Sequence, residues 1–105
     1  MLNRARFAVQ DSQRFRTVAG APRLGFRPAF LDFETMRIHP ARFADGRPAP
    51  FHTLDGLPDE VIVDRGASGR AVHAKASLVP GFERHGFFYT VRAAERACAE
   101  WPAYG

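Results

Sequence analysis

Thr90 stands between two periodicities that cannot belong to one element. Before it, Phe87-Phe88-Tyr89 has the aromatic composition of a β-strand. After it, Val91, Ala94, Ala97, Cys98 and Trp101 recur at helical spacing, with Arg92, Glu95, Arg96 and Glu100 mostly opposite. A threonine at this junction suits a helix N-cap, because its hydroxyl accepts from the amides two or three residues ahead. Pro102 then ends the helix. An apolar helical stripe that follows directly on a strand needs a sheet to lie on. The expected class is therefore α+β, a small antiparallel sheet of four to five strands with one C-terminal helix packed on it.

The remaining strands are read upstream. Phe26, Ala29, Phe30, Leu31 and Phe33 predict a strand that Pro28 places at an edge or near its own start. Asp32-Phe33-Glu34-Thr35 predicts a turn in which the Asp32 side chain bonds the backbone ahead. Met36 to His39 then runs back until Pro40. Residues 40 to 58 form a long Pro- and Gly-rich connection with turn signals at Asp45-Gly46 and Asp55-Gly56. Pro58, Asp59 and Glu60 suit the start of a short helical turn. Val61-Ile62-Val63 reads as a buried strand. Gly66 to Gly69 reads as a hairpin loop, and Arg70 to Val79 as one half-buried strand. In that strand Val72, Ala74, Ala76 and Leu78 face one way and His73, Lys75 and Ser77 the other. Pro80-Gly81 is expected to break it. Phe82-Glu83 then pairs with Phe87 to Tyr89 across Arg84-His85-Gly86.

A chain of 105 residues is one domain. Its 46% hydrophobic residues, ten Phe among them, suffice for a core. A single cysteine, Cys98, permits no internal disulfide and fits a reducing, cytoplasmic setting. No apolar run is long enough to span a membrane. Charge is unevenly placed. Residues 1 to 28 hold six Arg against Asp11 alone, while residues 29 to 105 hold nine bases against ten acids. Fourteen of fifteen bases are Arg, which a GC-rich genome explains in part. Codon bias does not explain the missing acids. Residues 1–23 are read as a flexible basic arm, with Gly20-Ala21-Pro22 as its linker, and residues 24–105 as the folded domain.

Several phrases are shared with a known group. Arg42-Phe43-Ala44-Asp45-Gly46, His52, Leu54 to Glu60, Lys75-Ala76-Ser77, Gly81-Phe82, Gly86, Phe88-Tyr89-Thr90 and Ala93-Ala94 resemble a group of small uncharacterised proteobacterial proteins over residues 26–101. The resemblance implies a bacterial source and a mobile-element setting, and carries over no catalytic residue.

The candidate chemistry is sparse. His39, His52, His73 and His85 stand apart from one another and from Cys98, so no metal and no cofactor is expected. Asp59 with Lys75 is an incomplete nuclease pattern, since His73 stands where a second acid is needed. A metal-free ribonuclease could use His73 or His85 as general acid and base, with Arg84 beside the phosphate. Aromatics interleaved with Arg84, His85 and Arg92 could stack unpaired bases, although core packing is the better default for most of them. The expected function is a non-enzymatic binding or regulatory module. Arg4, Arg6, Arg14, Arg16 and Arg84 would contact nucleic acid or a protein partner, with no membrane involved. A small nuclease is the alternative.

Overall fold

The structure, a computed structural model, describes residues 18–67 and 71–101. Asp32 decides how the first hairpin closes. Its carbonyl accepts from the Thr35 and Met36 amides, and its carboxylate accepts from the Glu34 amide at 3.0 Å. The expected turn thus joins β1 (Arg27–Asp32) to β2 (Arg37–Pro40). After the long connection come a 3-10 turn at Asp59–Val61, then β3 (Ile62–Arg65), β4 (Ala71–Ala74), β5 (Leu78–Arg84), β6 (Phe87–Thr90) and the helix α1 (Val91–Glu100). All pairings are antiparallel. The main sheet runs β2-β1-β5-β6, and β3 with β4 makes a separate two-stranded sheet. The class is α+β, as the sequence indicates.

Several local expectations are corrected. Of the two readings of Pro28, the edge is ruled out, since β1 lies between β2 and β5, and the nearby start holds, since Pro28 is the second residue of the strand. With no N–H on Pro28, the Ala41 carbonyl accepts instead from the Ala49 amide at 3.0 Å. The run from Arg70 to Val79 is not one strand. It breaks after Ala74 in a turn closed by the Leu78 amide on the Lys75 carbonyl, and the chain crosses from one sheet to the other. Ser77 is buried and Ala76 exposed, the reverse of simple alternation. Pro80-Gly81 does not break a strand; both lie within β5.

The hydrogen-bond phase explains the tolerated prolines. The Phe33 amide bonds the Ser77 carbonyl, so alternation makes Phe30 and Pro80 a pair without mutual hydrogen bonds. The nitrogen of Pro80 therefore points toward the β6 side, where pairing has already ended at Gly81 and Thr90. By the same reasoning the Ala41 bond to Pro28 turns the nitrogen of Pro40 outward from the free edge of β2. Gly81 is required for space. A Cβ there would lie 2.3 Å from the Phe88 ring and 2.4 Å from the Tyr89 carbonyl. Val61, just ahead of β3, is the fully buried residue of this run; Ile62 is partly buried against the same cluster, and Val63 is exposed.

The register places Phe30, Leu78 and Phe82 on one sheet face, which carries two apolar clusters. Phe30 and Leu78 pack with Leu54, Leu57, Val61, Ala71 and Ala74. Phe82 packs with Phe26, Ala21, Ala94 and Ala97. His52, fully buried, stands between them with its ring edge-on to Phe30 at 5.3 Å and to Phe82 at 5.4 Å. Its Nε2 lies 2.7 Å from the Gly81 carbonyl, which can only accept, so Nε2 carries the hydrogen. The helix begins as expected, with the Thr90 hydroxyl accepting from the Ala93 amide at 3.0 Å. It is a lid for the second cluster only, through Ala94 and Ala97, with Val91 and Cys98 partly buried beside them. Val18 and Ala21, assigned from sequence to the arm and its linker, pack into this same cluster. Pro22–Leu24 forms a 3-10 turn, so the ordered packing reaches back ahead of Leu24.

Candidate functional site: an aromatic and basic face

β5 and β6 are joined by two residues, His85 and Gly86, with φ of 53° and 86°. Positive φ at both central positions suits the right-handed twist of a tight hairpin. Glycine adopts it freely, whereas histidine does so at a cost. The Glu83 carboxylate holds the turn by accepting from the Gly86 amide at 2.8 Å. This geometry sets Arg84 and Phe87 opposite one another on the same face.

Arg84 is held from several sides. Its Nε donates to the Leu24 carbonyl at 2.7 Å. Its guanidinium lies 4.9 Å from the Trp101 ring centroid and 5.7 Å from that of Phe26. Phe26 and Trp101 stack at 5.8 Å, and Tyr89 meets Phe26 edge-on at 4.9 Å. A planar cation placed over aromatic faces is favourable, and a bonded one has little rotamer freedom left to lose. Trp101 remains 37% exposed and Phe87 68% exposed. Arg27 pairs with Glu83 at 3.6 Å on the opposite face of the sheet, and the exposed Arg23 and Arg92 lie close in sequence to Phe26 and Tyr89. Phe82, by contrast, is core. The expected aromatic cluster therefore divides: Phe82 is buried, Phe88 and Tyr89 are half-buried, and Phe87 faces solvent.

The other sequence candidates are dispersed. His85 occupies the exposed hairpin tip. His73 sits on β4 opposite Asp64, its Nδ1 3.7 Å from that carboxylate, on the other sheet. The two are not neighbours in the strand order, and the structure joins them in no common site. Asp59 pairs with Arg65 at 2.9 Å, and Lys75 binds Asp32 and Glu34. Among the described residues no three His, Cys, Asp or Glu gather as metal ligands. Arg4, Arg6, Arg14 and Arg16 lie outside the described residues; Val18, the first described residue, packs against the cluster that contains Phe26.

Two buried polar arrangements escaped the sequence reading. His52 is one. The other is the Asp32 carboxylate, which accepts from Ser77 Oγ at 2.6 Å and from Lys75 Nζ at 2.9 Å. The local Asp32 turn is readable from spacing, but partners more than forty residues away leave no sequence signal.

No protein-family model, curated protein or solved structure matches the chain. No helix among the described residues is long and apolar enough to cross a membrane.

Proposed function

We propose that the domain is a non-enzymatic binding module for single-stranded nucleic acid. Phe87 and Trp101 would offer stacking surfaces, Arg84 would offer a fixed cation between them, and the arm would add phosphate contacts through Arg4, Arg6, Arg14 and Arg16. The observation that carries the reading is Phe87, an aromatic ring mostly in solvent beside an arginine already oriented over Trp101. Base stacking on aromatic side chains tolerates any sequence. Arginines unmatched by acids favour a polyanion through counterion release. A bacterial, mobile-element setting would suit such an accessory protein and rests on the resemblance alone.

The test is fluorescence anisotropy with labelled single-stranded RNA and DNA across a salt series. Phe87→Ala should weaken binding by about 1–3 kcal/mol, the worth of one stacked base. Replacing Arg4, Arg6, Arg14 and Arg16 by Gln should flatten the salt dependence by roughly 0.7 log units per log unit of salt for each phosphate no longer neutralised. This set leaves Val18 and Ala21 in place, as packing requires. Binding insensitive to both changes refutes the proposal. Cleavage of the probe that His85→Ala or His73→Ala abolishes would establish the nuclease alternative instead.

A further inference from the structure

A second site lies on the β1–β2 turn, built from groups that the aromatic and basic face does not use. Asp32 is 1% exposed and remains ionised, its carboxyl held down at about 2, chiefly by the Ser77 hydroxyl and then by the Lys75 ammonium. Lys75 bonds Asp32 Oδ2 at 2.9 Å and Glu34 Oε1 at 2.7 Å. Both contacts push its pKa up, Glu34 first. Two of its three N–H groups are thus committed and one remains. Beside this pair opens a hollow of about 320 Å³, lined by Asp32, Thr35, Arg37, Glu60 and Lys75. That volume is at the small end of the range for small-molecule sites. Arg37 and Glu60 reach it from different segments, β2 and the 3-10 turn, and neither forms an ion pair among the described residues.

We propose that this hollow binds a zwitterionic small molecule of the α-amino-acid class. Its carboxylate would bridge Arg37 and the remaining N–H of Lys75, and its ammonium would meet Glu60. The lining decides the class. Two cations and two carboxylates line the hollow, and Glu34, bonded to Lys75, adds a third carboxylate next to it. A phosphate or other dianion would face those carboxylates, and a simple cation would face Lys75 and Arg37. A ligand that carries both signs meets each with its opposite. The floor is pre-set, because the Asp32–Lys75 pair and the turn above it are already hydrogen-bonded without a ligand, so little ordering is left to oppose binding.

The experiment is a titration of the ¹⁵N-labelled full chain followed by amide shifts. Glycine and L-serine are the zwitterions; acetate and methylammonium each carry one of the two charges. Saturable shifts at residues 34–37, 60 and 75 are expected with the zwitterions at about millimolar concentration, with each single-charge probe at least tenfold weaker. Arg37→Ala and Glu60→Gln alter exposed side chains, so the amide spectrum should stay native, and each should weaken serine binding about tenfold. Absence of saturable shifts, equal saturation by acetate, or undiminished binding in both variants would overturn the proposal. None of these outcomes touches the nucleic-acid reading, whose residues lie on other elements.

Discussion

Asp32 is the residue on which most of the first hairpin depends. It satisfies backbone amides ahead of it and gathers Ser77 and Lys75 from a distant segment. Its carboxyl is held below the ordinary value of 3.8, so its contribution to stability is complete above pH 4 and is lost as the pH falls toward 2. Acid titration followed by circular dichroism should show a loss of roughly 2 kcal/mol over that window. Asp32→Ala leaves the buried Ser77 hydroxyl without its acceptor and Lys75 with Glu34 alone, and should cost about 2–3 kcal/mol at neutral pH, measured by urea unfolding. At this scale the sequence was half legible. A turn aspartate is recognisable from its neighbours, as is Thr90 before a helical stripe. That Lys75 and Ser77 turn inward to meet Asp32 is not, because alternation alone assigns them to solvent. The burial of His52 is equally hidden: its surroundings come from β1 and β5, not from its own segment.

The elements themselves were legible wherever local chemistry and tertiary demand agreed. The strand–threonine–helix junction is the clearest case, and Thr90→Ala should cost about 1 kcal/mol of stability by loss of the cap. The β5–β6 hairpin was readable from Gly86, but the left-handed backbone of His85 was not. A β-branched residue tolerates that conformation worse, so His85→Val should destabilise by about 1–2 kcal/mol in chemical denaturation. Where reading failed, the cause was context. Proline and glycine at positions 80 and 81 look like a stop signal, yet the sheet has no hydrogen bond to lose at Pro80 and no room for a side chain at Gly81. The break after Ala74 was missed because the polar residues that follow pack on the interior instead of continuing the alternation.

For the molecule as a whole, His52 is the only buried polar side chain set between the two apolar clusters by ring contacts on either side, among the described residues. It couples one cluster that carries β3 and β4 to another capped by α1. Unfolding should therefore be a single transition, with Trp101 fluorescence and far-ultraviolet circular dichroism coincident. His52→Ala should cost about 3 kcal/mol and separate the two signals, since Trp101 reports only the cluster around Phe26. Coincident curves in that variant would show that the clusters are coupled elsewhere. Pro40 bears on how such molecules behave in a crowd. The outer rim of β2 is a place where a second sheet could graft itself and begin a polymer. A ring nitrogen with no proton faces outward there, so the rim lacks one of the donors that grafting would use. Pro40→Thr would restore it, and the expected consequence is concentration-dependent fibrils from a protein whose fold is otherwise unchanged.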